Sequence, residues 1–159
     1  MPDALPGVGE IVGPIVAKVE PEHQPLLIAL AERIAARRYR AWAEQAARPE
    51  DRHRLIACAD REEEVARRVE ALFDDAAGIQ AELLARHAGL EEIYRGLFEG
   101  RPAADQFTIQ AKGERLGAAT WRSFAERSSD DDTRKTYLEC AALEEDSAVV
   151  LEDLVRAGA

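Results

Sequence analysis

Apolar residues recur every three or four positions along four long stretches of the chain, and each apolar stripe is interrupted by one glutamate. Over 25–47 the stripe is Ala29, Glu32, Ala36, Tyr39 and Ala43, and over 50–74 it is Leu55, Ala59, Glu62, Ala66, Val69 and Phe73. Over 104–128 it is Phe107, Ala111, Glu114, Ala118, Trp121 and Ala125, and over 131–156 it is Tyr137, Ala141, Glu144, Ala148, Leu151 and Val155. A period near 3.6 predicts four amphipathic helices and an all-α fold. Local signals agree. Pro25 suits a first helical turn, and Pro49-Glu50-Asp51 puts acids where a helix N-terminus favours them. Ser128-Ser129-Asp130 carries turn and cap chemistry ahead of the last stretch.

Two segments fall outside this pattern. Residues 1–24 are punctuated by Pro and Gly, and Ile11–Val19 is apolar enough to pack, either on the same chain or on a second subunit. Residues 75–103 contain a further helical stretch, Ile79–Phe98, with Leu83, Leu84, His87, Leu90, Tyr94 and Leu97 on its apolar side and Gly100-Arg101-Pro102 as its stop. A 20-residue helix spans about 30 Å, so this stretch is long enough to cross a whole bundle. The expected organisation is an N-terminal arm, 1–24, followed by one bundle domain, 25–159.

The stripes are also copies of one another. Residues 32–72 align without a gap on 114–154, and 14 of the 41 positions are identical, including Glu32/Glu114, Arg33/Arg115, Arg40/Arg122, Cys58/Cys140, Glu62/Glu144, Glu63/Glu145 and Glu70/Glu152. Tyr39 falls on Trp121 and Trp42 on Phe124. A helix pair repeated in this way, with a long crossover between the copies, predicts a four-helix bundle with internal two-fold symmetry.

Composition narrows the function classes. Charged residues make up 33% of the 159 residues and the formal net charge is −10, which argues against nucleic acid or an anionic membrane as partner. No apolar run reaches the length of a membrane span, and MPDALPGVGE lacks the basic start of a secretory signal. Two cysteines make no disulfide framework. The expected compartment is the cytoplasm.

Four glutamates on inward stripes are the candidate chemistry. An unpaired buried carboxylate is costly and tends to protonate, and four that converge also repel one another. Two divalent cations would neutralise them, and an all-oxygen donor set suits iron(II), manganese(II) or magnesium, with zinc as a further choice. The alternative is a metal-free bundle in which the glutamates carry protons or pair with arginine.

These residues also carry a family resemblance. Glu32–Tyr39 (ERIAARRY) is similar to the Glu-x6-Tyr segment of rubrerythrin-type ferritin-like proteins, and residues 59–66 (ADREEEVA) resemble their Ala-x-x-Glu-x-x-His-Ala segment. Residues 114–121 and 141–148 resemble the matching parts of the third and fourth helices. The resemblance implies a ferritin-like four-helix bundle binding two iron or manganese ions. In it Glu32 and Glu114 would be terminal ligands and Glu62 and Glu144 bridging ligands. The chemistry implied is iron(II) oxidation or reaction with dioxygen or peroxide. One departure is large: Val65 and Ser147 stand where the family has its two histidine ligands. The rubredoxin-like Cys-x-x-Cys domain is missing as well.

Other matched pairs are weaker candidates. Cys58 and Cys140, one turn before Glu62 and Glu144, are either soft ligands or small core residues. Tyr39 and Trp121 either fill the core, carry electrons near a metal centre or hydrogen-bond a ligand carboxylate. Glu63/Glu145 and the Arg40/Glu44 and Arg122/Glu126 pairs read as solvated faces or a subunit contact. The expected assembly is a homodimer or larger homo-oligomer. The rival to a dimetal oxidoreductase is a structural or protein-interaction scaffold, and a third reading is a component or cargo of a larger assembly.

Overall fold

Among the described residues, 4–158 of a computed structural model, the chain forms seven α-helices and no strand. Residues 1–3 of the expected arm and residue 159 of the expected bundle lie outside them. In chain order the helices are α1 (Val8–Val16), α2 (Gln24–Gln45), α3 (Pro49–Glu70), α4 (Ala76–Arg86), α5 (Leu90–Phe98), α6 (Ala103–Arg127) and α7 (Asp131–Arg156), with one 3₁₀ turn at Pro21–His23 before α2. The fold is all-α, and the four striped stretches are α2, α3, α6 and α7. Asp75 and Asp130 cap α4 and α7 by accepting hydrogen bonds from the backbone N–H groups of Gly78 and Thr133, which satisfies donors that the first helical turn leaves unpaired. No helix is long and apolar enough to cross a membrane among the described residues.

The crossover differs from expectation. The single helix predicted over Ile79–Phe98 is two helices, broken at 87–89, where His87 takes a non-helical backbone (φ −124°, ψ 53°) and Gly89 caps α5. Apolar periodicity is blind to such a break because Leu83 and Leu90 are both buried on either side of it. Leu84, placed on the apolar side by spacing, is 43% exposed. The two pieces serve different partners: α4 packs on α2 and α5 on α6.

Three seams between the long helices are closed. α2 packs along α3, α6 along α7, and α3 against α7. Small, fully buried residues on α3 and α7 (Cys58, Ala59 and Ala66; Cys140, Ala141 and Ala148) allow the last pair to approach closely. Matched ion pairs lace the two hairpins: Arg33 to Glu70 and Arg40 to Glu63 on one, Arg115 to Glu152 and Arg122 to Glu145 on the other, each related by 82 positions. The arginines therefore reach across to the neighbouring helix and not to Glu44 or Glu126 one turn along. Exposed pairs of this kind contribute about 0–1 kcal/mol each.

The fourth seam, between α2 and α6, is open along part of its length. Side chains bridge it: Trp42 donates to Gln106 (2.7 Å), Arg38 to Gln110 (2.8 Å) and Tyr39 to Glu114 (2.6 Å). The N-terminal arm covers the gap, since α1 docks on α6 of the same chain. Glycines set this approach. A Cβ on Gly9 would lie 2.7 Å from Leu116 Cδ2, and one on Gly113 would lie 3.2 Å from Val8 Cγ2.

If α1 is an accessory cover and not part of the folding core, Val12→Asp should release it while leaving α2–α7 folded. The expected result is rapid tryptic cleavage at Lys18 with nearly all helicity retained, read by limited proteolysis and far-UV circular dichroism. Cooperative loss of the whole helical signal would show instead that α1 is integral to the core.

Candidate metal centre

The helical period places Glu32 on α2, Glu62 on α3, Glu114 on α6 and Glu144 on α7, all facing inward and between 0% and 7% exposed. The structure brings three of them together. One carboxylate oxygen from each of Glu32, Glu62 and Glu144 lies within 4.8 Å of the others, and no histidine or cysteine belongs to this group among the described residues. Glu114 stands beside this set and is held separately. Its Oε1 accepts hydrogen bonds from the Tyr39 hydroxyl (2.6 Å) and from Gln110 Nε2 (2.7 Å).

Each of the other carboxylates has its own surroundings. Trp121 Nε1 donates to Glu144 Oε1 at 2.8 Å. Ser147 Oγ donates to Glu62 Oε1 at 3.1 Å and accepts from Arg61 Nε at 3.1 Å. Glu62 Oε2 is fully buried with no hydrogen-bond partner. Leaving a buried acceptor unsatisfied costs about 1–3 kcal/mol, and more when it is charged. Val65, at the position matched to Ser147, is 1% exposed and packs with Val69 and Trp121.

Burial dominates the electrostatics. It pushes the Glu32 carboxyl up to about 7, aided by the nearby charge of Glu114. Burial, followed by the neighbouring carboxylates, pushes Glu62 and Glu144 well above the usual carboxylate range. Burial also raises the Tyr39 phenol, which keeps its proton and donates to Glu114. An unfilled cluster of this kind is therefore protonated in part. The thiols behave as core residues: both are buried, Cys58 is pushed up by burial and Cys140 up to about 12.

The donor set fits a cation on two counts, namely convergence of hard oxygen ligands and an oxygen on Glu62 with nothing to bind. Those oxygens suit a hard divalent ion. Both neutral donors to Glu114 bond its Oε1, and its carboxyl also meets that of Glu144. Tyr39 and Trp121 both turn out to hydrogen-bond a carboxylate while packing in aromatic clusters, Tyr39 edge-on to Trp42 and Trp121 stacked with Tyr137. Sequence reading missed Gln110, although it lies one helical turn before Glu114. It also missed Gly117, whose added Cβ would lie 3.1 Å from Glu144 Cδ and both carboxylate oxygens.

No protein family, curated protein or solved structure matches the chain.

Two outcomes follow from this geometry. Gly117 aligns with Ala35 in the repeat, and Gly→Ala inside a helix ordinarily stabilises by about 1 kcal/mol. Here the methyl crowds Glu144, so Gly117→Ala should weaken divalent-metal affinity about tenfold or more with helicity unchanged, measured by titration and circular dichroism. The second concerns pH. A carboxyl whose pKa is raised by folding favours the folded state at low pH, and that contribution is lost as pH rises from about 4.5 through about 7 for Glu32. Glu32→Gln removes the ionised form. In chelator-treated protein it should raise Tm by about 7 °C or more at pH 8 and by almost nothing at pH 5. An equal shift at both pH values would show that ionisation of Glu32 is not the cause.

Proposed function

We propose that this protein is a ferritin-like, rubrerythrin-related four-helix bundle, built from a duplicated helix pair, whose core carboxylates bind divalent metal. The observation that carries the reading is the convergence of Glu32, Glu62 and Glu144 together with the unpartnered, fully buried Glu62 Oε2. Glu32, Glu62 and Glu144 would hold the first ion, and Glu114 would complete a second position with the remaining carboxylates. Iron or manganese held there would supply oxidation of iron(II) or reaction with dioxygen or peroxide. The chain's own part is to bind and orient. Tyr39 and Gln110 fix Glu114, Trp121 fixes Glu144, and Ser147, oriented by Arg61, fixes Glu62. Ser147 thus supports a ligand from the place where the family resemblance has a histidine ligand. The site is then a harder, all-oxygen one.

A second reading is favoured by the same hydrogen bonds. Three of the four carboxylates already receive a neutral donor, and a raised pKa lets protons replace cations. On that reading the bundle is a metal-free scaffold.

Elemental analysis separates the two. After anaerobic loading with iron(II) or manganese(II) and desalting, the metal reading expects about two ions per chain, with Glu62→Ala and Glu144→Ala each losing stoichiometric binding while keeping their helicity. At metal concentrations about 100 times Kd, binding stabilises by about 2.7 kcal/mol, a rise in Tm of about 5–10 °C for a domain of this size. No retained metal, with a melting temperature indifferent to chelator, decides for the scaffold.

A further inference from the structure

A cavity of about 370 Å³ lies in the open seam between α2 and α6. Its apolar walls come from four helices, with Val12 and Val16 of α1, Leu27 and Ala31 of α2, and Leu90 and Tyr94 of α5 facing residues of α6, and α7 adds Glu144. Carboxylates also line it: Glu32, Glu114 and Glu144 all border the space. Of these, Glu114 and Glu144 accept hydrogen bonds from Tyr39, Gln110 and Trp121. Glu32 does not. It is 7% exposed, and its hydrogen-bonding neighbours are the carboxyls of Glu62 and Glu144.

We infer that this cavity is a binding site for a small apolar molecule carrying a hydroxyl group, with the hydroxyl donating to Glu32 and the apolar body lying under α1. Three observations set the ligand class. The apolar walls select a hydrocarbon or aryl body. A dry apolar cavity of about 150 Å³ holds a benzene ring, so this one has room for a chain of about eight carbons. The three carboxylates disfavour an anionic head, and Glu32, which meets the carboxyls of Glu62 and Glu144 but borders the cavity as well, selects a donor there. An alcohol or alkylphenol satisfies both conditions, and a fatty acid does not. The glycines that seat α1 against α6, Gly9 and Gly113, let α1 form the outer wall. The inference applies to the metal-free protein, since an ion held by Glu32, Glu62 and Glu144 would occupy the oxygen atoms that the hydroxyl needs.

The test uses the full chain, treated with chelator, at pH 8. 1-Octanol and octanoate are titrated separately by isothermal titration calorimetry, and metal loading is measured in parallel on the same preparation. Saturable binding of 1-octanol, at least tenfold tighter than octanoate, is the expected result. Ala31→Leu and Val12→Phe, which fill the cavity from two different helices, should each weaken octanol binding at least tenfold with helicity preserved. Glu32→Ala should bring the two affinities to within about threefold of each other. Octanol that fails to saturate, octanoate that binds as tightly as octanol to the wild type, or cavity-filling variants that bind octanol unchanged would each overturn the inference. Retained metal without octanol binding sinks the cavity reading alone, and octanol binding without retained metal sinks only the metal reading.

Discussion

The structure turns on the burial of four carboxylates in the middle of an apolar helical core. Nothing in such a core replaces the water that a carboxylate loses, so each must find a donor, a proton or a cation. The arrangement around them follows from that demand. Tyr39, Gln110, Trp121 and Ser147 are buried polar groups whose bonds end on the glutamates. Arg38 and Arg61 reach inward to orient two of these donors, Gln110 and Ser147. Removing Trp121 or Ser147 would take the donor from a buried carboxylate oxygen, so the site and the core are parts of one network.

The two halves of the chain meet this demand differently. On the surface their matched residues play matched roles, with arginine–glutamate pairs at corresponding places on both hairpins. In the core the correspondence breaks. Trp121 bonds to Glu144 on the next helix, and an equivalent Tyr39 would bond to Glu62. It reaches Glu114 across the open seam instead. Val65 seals one side of the core with hydrocarbon while Ser147 turns a hydroxyl toward Glu62. Ala35 stands where its counterpart Gly117, given a methyl, would bring it to 3.1 Å from the Glu144 carboxyl. The surface is indifferent to small asymmetries because solvent absorbs them. A close-packed core is not.

The open seam is the other consequence of this architecture. Where α3 and α7 are lined by Ala and Cys they close on each other, whereas α2 and α6 are held apart and joined by long polar side chains. The space left between them needs a cover, and the short apolar helix α1 supplies one without belonging to either hairpin. That cover puts an apolar chamber directly beside carboxyl oxygen atoms, with both kinds of surface facing the same interior space.

By itself the sequence determined the four long helices and which of their faces are buried, because both are local consequences of a 3.6-residue period. Glu32, Glu62, Glu114 and Glu144 sat on those faces and could be named from spacing alone, as could the caps and turns between the long helices. What the period cannot express is the distance between helices. Only the tertiary structure decided that Glu114 would be drawn to Tyr39 and Gln110 while the other three converge, that Gly117 leaves room for Glu144, and that α1 folds back onto its own chain. The break at 87–89 was hidden for a related reason: a change of helix direction conserves burial on either side of it. Periodicity fixes the direction in which a side chain points along its own helix, and packing across helices fixes what it meets.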